Sequence, residues 1–250
     1  MTILLLHGFL GAPSTWDGVV AASAAAEGLR PTLPGHGAAP DVRAASFDAA
    51  VDALAKTLPG PVLVAGYSMG ARLGLALALR HPALVRAAVL AGVNPGVEED
   101  ARAARCEWDN ARASELLETG LPAFVDGWER MPLFATQSRL PEAVRASERA
   151  RRVSHTPAGA AWAMRTLGLG RQPSLWADLA SSTVPITFLA GGNDGKFAEL
   201  AYRAARQAPC GALQMVPGVG HNVALEAPAA FAAAIAAAQT DILSHKETTA

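Results

Sequence analysis

Short runs of apolar residues recur along the chain and alternate with longer stretches of helical character. Five of these runs have the length of a strand and show little polar alternation, at residues 3–6, 62–65, 87–90, 186–189 and 213–216. Strands that are apolar throughout and separated by helices are typical of a parallel sheet buried on both faces. A weaker run at residues 29–32 is a sixth candidate strand. The pattern therefore predicts an α/β fold with a mostly parallel sheet flanked by helices.

Helices are predicted between these runs from apolar periodicity, capping residues and prolines. They cover residues 15–26 with Ser14 as the candidate N-cap, residues 47–58 after Ser46, and residues 69–80, where His81-Pro82 ends the helix. Pro228 opens a last, alanine-rich helix that is expected to end near Gln239, with a frayed tail after Asp241.

The alternation of strands and helices is interrupted between residues 97 and 171. This stretch contains no convincing strand but several helical segments, which carry Trp108, Trp128, Trp162 and many arginines. We therefore expect a helical cap over residues 97–171, inserted into a core formed by residues 1–96 and 172–250.

Length and charge narrow the function. The 250 residues suit one α/β domain with an insertion. Because the formal net charge is −1 and no long basic run is present, nucleic acid and anionic membrane surfaces are not expected partners, and small-molecule chemistry is favoured. The chain has neither an apolar run of about eighteen residues nor a signal-peptide pattern, which predicts a cytoplasmic protein. The two cysteines, Cys106 and Cys210, are assigned no function.

A Gly-x-Ser-x-Gly pattern stands between a predicted strand and a predicted helix. Its residues are Gly66-Tyr67-Ser68-Met69-Gly70. At such a junction a sharp turn exposes the serine hydroxyl at the carboxyl end of the strand, and small residues two positions before and after it leave room for the turn. Ser68 is therefore predicted to be a nucleophile or base on an elbow. The alternative is a glycine-rich loop with an incidental serine.

Two further residues complete a catalytic triad in the chain order expected for this fold. Asp194 directly follows the predicted strand 186–189, and His221 directly follows the predicted strand 213–216. A serine hydroxyl needs an imidazole to take its proton, and the imidazole needs a carboxylate to fix its tautomer. Because active sites of parallel sheets collect at the carboxyl ends of the strands, we expect these residues to meet there. Taken singly, Asp194 could form a turn and His221 could cap a loop.

The segment after the first strand is predicted to supply an oxyanion hole. The backbone N–H groups of Phe9 and Met69 are the expected donors. His7, in Leu6-His7-Gly8-Phe9, is expected to be structural. His36, in Leu33-Pro34-Gly35-His36-Gly37, is expected to stabilise a tight glycine-rich turn.

Taken together, these segments resemble the α/β-hydrolase superfamily over essentially the whole chain. Within it, the chain is similar to the 2-succinyl-6-hydroxy-2,4-cyclohexadiene-1-carboxylate synthases, the pyruvate-eliminating lyases of menaquinone biosynthesis. The similarity is carried by Gly66-Tyr67-Ser68-Met69-Gly70-Ala71-Arg72, Asn94-Pro95-Gly96, Trp128 with Met131-Pro132-Leu133-Phe134, Gly168-Leu169-Gly170-Arg171-Gln172-Pro173, and Asp194-Gly195-Lys196-Phe197. The chain departs from the family at Ala71, Ala91 and Ala224, where relatives usually carry glycine, an acidic residue and a second histidine.

The resemblance implies a substrate with three carboxylates, no cofactor and no metal. It implies that Arg72, Arg105 and Arg152 bind the anionic groups, because guanidinium groups pair well with carboxylates. Tyr67 and Trp128 would line the pocket. For the arginines of the insertion the alternative is a solvated helical face, and for Trp128 it is core packing.

Two other functions remain open at this point. A serine carboxylesterase would use Ser68 to form an acyl-enzyme, and an apolar cap with few arginines would favour it. A non-catalytic binding protein on the same scaffold would be favoured by loss of a triad residue.

Overall fold

The computed structural model describes residues 1–37 and 43–248, and in this part of the chain five parallel strands form one sheet. The strands are β1 (Ile3–Leu6), β2 (Val62–Tyr67), β3 (Val85–Ala91), β4 (Ile186–Gly191) and β5 (Gly211–Val216). They are arranged in the order β1-β2-β3-β4-β5, and every neighbouring pair is parallel. The five predicted strands are thus confirmed, and all except β1 are two or three residues longer than predicted.

Two expectations about the edges of the sheet are wrong. Residues 29–32 form no strand, and only Leu29 makes a parallel bridge to Leu4. Pro31 has no N–H group with which to extend that pairing. Strand β5 is not buried on both faces, since Leu213 is 38% and Met215 is 40% exposed. β5 lies at an open edge of the sheet, where helices cover it incompletely.

Ten α-helices are present in residues 1–37 and 43–248. They are α1 (Asp17–Ala22), α2 (Phe47–Lys56), α3 (Met69–Arg80), α4 (Glu99–Glu129), α5 (Glu142–Val153), α6 (Pro157–Leu167), α7 (Trp176–Leu179), α8 (Gly195–Gln207), α9 (Val223–Glu226) and α10 (Pro228–Thr248). The predicted bounds of α3 are confirmed, and Ser46 caps α2 by accepting a hydrogen bond from the Ala49 N–H at 3.1 Å. None of the helices in these residues combines the length and apolar character needed to span a membrane.

The first and last helices differ from prediction. The helix expected over residues 15–26 is broken into a 3₁₀ turn at Pro13–Trp16, the short α1, and a second 3₁₀ turn at Ala24–Ala26. Ser14 lies inside the first turn and does not cap a helix, while Ser23 is extended with φ −158°. At the other end, α10 continues to Thr248, so the expected frayed tail after Asp241 is instead helical. The alanine content that favours α10 does not hold the first segment in one helix.

The sheet is covered on both faces, as an all-parallel sheet requires. Side chains alternate along β1, so that Leu4 and Leu6 join the core shared with α2, α3 and α8. Ile3 and Leu5 join the opposite core, where Trp16 packs with Phe231 of α10.

The helices between β3 and β4 form a third, smaller apolar cluster. It contains Leu116, Phe124 and Ala160, and also Leu10 from the loop after β1. The chain changes direction within α4 at Gly120, whose φ of 78° favours glycine, two residues before Pro122. This segment lies where the sequence predicts the helical cap.

Candidate active site

Ser68 lies on a sharp turn between β2 and α3. Its backbone is strained, with φ 52° and ψ −111°. The turn is tight because a Cβ at position 66 would lie 2.7 Å from the Cα of Ala71, and one at position 70 would lie 2.1 Å from the Leu6 carbonyl oxygen. Only glycine fits at both positions. This is the geometry of a nucleophile elbow, which presents the serine side chain at the edge of the sheet.

Ser68, His221 and Asp194 are hydrogen-bonded in series. The His221 Nε2 atom lies 3.1 Å from Ser68 Oγ, and its Nδ1 atom lies 2.8 Å from Asp194 Oδ2. The buried carboxylate of Asp194 accepts a hydrogen bond from the Nδ1–H group, which leaves Nε2 unprotonated and able to accept the serine proton. Asp194 also accepts a hydrogen bond from the Phe197 N–H at 3.4 Å, which fixes the carboxylate at the start of α8.

The loops that carry Asp194 and His221 approach each other closely because they contain glycine. A Cβ at Gly191 would lie 2.0 Å from the Gly220 carbonyl oxygen. A Cβ at Gly92, after β3, would lie 2.7 Å from the imidazole of His221. On the cavity side, the Phe197 ring packs against the same imidazole at a centroid distance of 4.3 Å. These contacts hold the imidazole in place. This role of Phe197 was not predicted from the sequence.

The two predicted oxyanion donors lie at the ends of neighbouring elements. Phe9 follows β1, and its N–H donates no hydrogen bond to a residue in the described part of the chain. Met69 is the first residue of α3, and an N–H at that position has no acceptor within its own helix. Both residues line the cavity that contains Ser68. Their role as donors stays a prediction.

A cavity of about 520 Å³ is lined by the triad and by residues of the helices between β3 and β4. Of the residues implied by the resemblance, Tyr67, Arg72, Arg105 and Trp128 lie in its wall, while Arg152 does not. The Tyr67 ring lies 5.4 Å from that of His221, and burial raises the pKa of this phenol well above its ordinary value of 10.

The Arg72 side chain is partly buried, and its guanidinium has no ion-pair partner among the described residues. It donates to Gln172 Oε1 at 2.9 Å and to the Leu167 carbonyl at 2.8 Å. Burial, followed by the nearby Arg105 cation, lowers the pKa of Arg72 to about 10, whereas Asp109 acts in the opposite direction. A buried cation paired only with neutral groups creates a strong requirement for an anion in the cavity.

Arg105 is a second cation in the cavity wall, but it is partly neutralised. Its Nε donates to Asp109 Oδ1 at 2.9 Å, and its guanidinium lies 4.6 Å from the centre of the Trp108 ring. Asp109 is buried, and its Oδ2 accepts the Gly170 N–H at 3.0 Å. Asp109 is not predictable as a site residue from the sequence, because a carboxylate four residues from an arginine is common on solvated helices.

Arg152 lies outside this cavity. It donates to Glu129 at 2.8 Å and to Gln137 at 3.0 Å, and it forms an ion pair with Glu148 at 3.2 Å. It lines a second cavity of about 430 Å³, and Phe134 lies in the walls of both cavities. Arg152 is thus paired with two carboxylates beside the Ser68 cavity, and its guanidinium lies 5.2 Å from the centre of the Phe134 ring in the shared wall. Its role in binding the substrate stays a prediction.

Trp128 belongs both to the cavity wall and to the packing of the cap. Its ring stacks on Phe124 at 5.7 Å and meets the edge of Phe9 at 5.2 Å. The two alternatives for Trp128, pocket lining and core packing, therefore apply together.

The hydrogen-bonded serine, imidazole and carboxylate at the carboxyl edge of a parallel sheet define a Ser-His-Asp enzyme of the α/β class. A comparison with known families narrows this class. The chain belongs to the alpha/beta hydrolase family, whose profile matches residues 3–234. The predicted fold class is thereby confirmed.

Individual relatives show which members of this family the chain resembles. The chain is 31% identical over 239 residues to the 2-succinyl-6-hydroxy-2,4-cyclohexadiene-1-carboxylate synthase of Enterobacter sp. strain 638, covering 94% of this chain and 90% of the relative. It is 32% identical over 239 residues to the synthase of the same name from Escherichia coli O1:K1, covering 94% and 92%. The solved structure of MenH from S. aureus superposes with a TM-score of 0.90 at 29% identity, covering 97% of this chain and 94% of that one. The resemblance to these synthases is confirmed.

Proposed function

We propose that the chain is a carbon-oxygen lyase with the activity its relatives are named for. It eliminates pyruvate from a succinyl-enolpyruvyl-hydroxycyclohexene carboxylate and forms 2-succinyl-6-hydroxy-2,4-cyclohexadiene-1-carboxylate. The observation that carries the proposal is the partly buried Arg72 guanidinium, which has no ion-pair partner in the described part of the chain and lies in the same cavity as Ser68. The proposal includes a small polyanionic substrate and a cytoplasmic location.

In the proposed reaction Ser68 acts as a base. The ring C–H bond of the substrate breaks and its proton passes to Ser68 Oγ, while the hydroxyl proton of Ser68 passes to His221 Nε2, 3.1 Å away. Asp194, hydrogen-bonded to Nδ1, stabilises the imidazolium that forms. The electron pair of the C–H bond becomes a ring double bond as the C–O bond to the enolpyruvyl group breaks. The departing enolpyruvate takes up one proton and becomes pyruvate.

The charged groups of the cavity support this chemistry over ester hydrolysis. Arg72 and Arg105 supply two guanidinium groups for the carboxylates of the substrate. The negative charge that develops as the proton leaves is stabilised by the N–H groups of Phe9 and Met69. An uncharged ester would leave the Arg72 cation desolvated and without an anion, which is unfavourable.

Release of pyruvate tests the proposal directly. The purified protein is incubated with the enolpyruvyl substrate, and pyruvate is followed by its reduction with lactate dehydrogenase and NADH. We expect turnover that is lost in Ser68→Ala. Hydrolysis of p-nitrophenyl acetate is measured in parallel. Rapid ester hydrolysis without pyruvate release would refute the lyase and favour the carboxylesterase.

A further inference from the structure

Three buried imidazoles that the mechanism does not use lie beside the oxyanion loop. His7 follows β1, His36 lies in the loop after residue 33, and His155 joins α5 to α6. The His7 and His36 rings are 5.0 Å apart and the His36 and His155 rings are 5.2 Å apart, each pair edge to face. All three side chains are almost fully buried.

Each ring accepts a hydrogen bond from a backbone N–H and is therefore neutral. His7 Nε2 accepts from Leu33 at 3.1 Å, His36 Nε2 from Leu10 at 3.1 Å, and His155 Nδ1 from Gly37 at 2.8 Å. A ring nitrogen that accepts a hydrogen bond carries no proton, so the proton lies on the other nitrogen. Burial favours the neutral form, and it lowers the pKa of His7 to about 4 and that of His36 well below 6.5.

The protonated nitrogen of His7 and the unprotonated nitrogen of His36 act on the two peptide groups that flank Phe9. The carbonyl of Gly8 accepts from His7 Nδ1 at 2.9 Å and from the Gly11 N–H at 3.0 Å. On the other side of Phe9, the N–H of Leu10 donates to His36. Leu10 itself has a positive φ of 56°, a strained value for a residue with a Cβ.

Fixing the Gly8 carbonyl also fixes the direction of the Phe9 N–H. The two groups belong to one planar trans peptide, in which C=O and N–H point in opposite directions. The Leu10 N–H fixes the next peptide plane. The φ and ψ angles of Phe9 are therefore determined by the hydrogen bonds of the two imidazoles and of the Gly11 N–H. The Phe9 N–H itself is left free for a ligand.

We propose that His7 and His36 are positioning residues that hold the Phe9 N–H in the direction of the oxyanion hole. The proposal deepens the proposed function and rests on the role assigned there to the Phe9 N–H. Neither imidazole touches the substrate. Each acts through the backbone, and each does so with only one of its two ring nitrogens.

Matched isosteric variants separate the two nitrogens. Asparagine replaces the Nδ1 group of histidine and glutamine replaces the Nε2 group. His7→Asn keeps a donor for the Gly8 carbonyl, whereas His7→Gln keeps only the contact with Leu33. At position 36 the order is reversed: His36→Gln keeps an acceptor for Leu10, and His36→Asn keeps only the donor to the Pro34 carbonyl, 3.1 Å away.

Two rates are measured for each variant. One is pyruvate release. The other is the single-turnover reaction of Ser68 with diethyl p-nitrophenyl phosphate, in which an Oγ–P bond forms, nitrophenolate leaves, and the hydroxyl proton passes to His221. The phosphoryl oxygen occupies the oxyanion hole in this reaction, so it reports on the donors independently of the natural substrate. Thermal unfolding is recorded for every variant, and His155→Asn, which keeps its acceptor for Gly37, serves as a buried control.

We expect His7→Gln and His36→Asn to lower both rates about ten- to a hundredfold with KM unchanged, because the donor is misdirected. His7→Asn, His36→Gln and the control should stay within about threefold of the wild type. Each variant of a pair loses one hydrogen bond, so similar unfolding temperatures are expected within the pair.

Equal rates within each pair, or rates that follow the unfolding temperature alone, would overturn the proposal. A wild-type protein that releases no pyruvate while the pairs still differ in phosphorylation would refute the proposed function and leave this inference intact. Pyruvate release by all variants at the wild-type rate would refute this inference and leave the proposed function intact. A wild-type Ser68 that reacts in neither assay would refute both.

Discussion

Replacing Arg72 with methionine removes the buried charge of the cavity while keeping most of the apolar side-chain stem. In the folded protein the pKa of Arg72 falls from 12.5 to about 10. At roughly 1.4 kcal/mol for each tenfold change, burial therefore disfavours the charged form by about 3 kcal/mol. Arg72→Met relieves this penalty but leaves Gln172 Oε1 and the Leu167 carbonyl without their donors, which costs about 1–3 kcal/mol for each group.

These two effects are of similar size and opposite sign for the stability of the free protein. We expect the free energy of unfolding of Arg72→Met to lie within about 3 kcal/mol of the wild-type value. For the reaction, by contrast, no gain offsets the loss of the contact between Arg72 and a substrate carboxylate. Loss of one partner from a hydrogen-bonded charge pair costs about 2–5 kcal/mol, so kcat/KM for the polyanionic substrate should fall about 30- to 5,000-fold.

The assay combines pyruvate release with urea unfolding of the same preparations. Arg102→Met is a matched control, since Arg102 donates to the carbonyl of the same Gln172 at 2.7 Å but lies outside the cavity wall. The control should keep kcat/KM within about threefold of the wild type. The reasoning is refuted if Arg72→Met keeps a wild-type kcat/KM, or if both variants lose activity in proportion to their loss of stability.

Three further predictions concern the triad and the buried imidazoles. Asp194→Asn should lower kcat about 10⁴-fold with an unchanged circular dichroism spectrum, because an amide stabilises the wrong tautomer of His221. Ser68→Gly and Ser68→Ala should both be inactive, but the glycine variant should be about 1 kcal/mol more stable to urea, since glycine tolerates the φ of 52°. The third concerns pH: His7 is neutral in the folded protein, so its contribution to stability is complete above pH 6.5 and is lost as the pH falls toward 4, by up to about 3 kcal/mol. Urea unfolding between pH 7.5 and 4.5 measures this loss, and His7→Asn should show a shallower dependence.

The contrary results are equally definite. A kcat of Asp194→Asn within tenfold of the wild type would exclude the carboxylate as the group that orients His221. Equal stabilities of the two Ser68 variants would show that the elbow stores little strain. For the pH dependence, the groups that act on His7 are the titratable His155 and the cation of Arg151, and Arg151 is ion-paired with Glu148. A stability that is constant down to pH 4.5 would contradict the neutral, buried state of His7.

The parts of the molecule that follow from local pattern were predictable. The apolar runs and their order along the chain identified the five strands, and the positions of Asp194 and His221 directly after two of them placed both side chains at the sheet edge. The Ser68 turn followed from the small residues at positions 66 and 70. Each of these features depends on neighbours within a few residues in sequence.

The parts that depend on distant partners were not predictable. Glu129, which forms an ion pair with Arg152, lies 23 residues earlier, and nothing in the local pattern predicts that contact. Asp109 is buried because the Gly170 N–H, far along the chain, satisfies one of its oxygens. In each case the deciding contact comes from tertiary structure.

The position of Leu10 has a consequence for how enzymes of this family could be recombined. Its side chain is part of the apolar cluster of the cap, while its backbone N–H belongs to the loop that follows the first strand. A cap transplanted from a relative would therefore arrive without one of its own core residues. Chimeras that exchange residues 97–171 alone would leave a mismatch at this joint, and a functional module must carry the residue at position 10 with it.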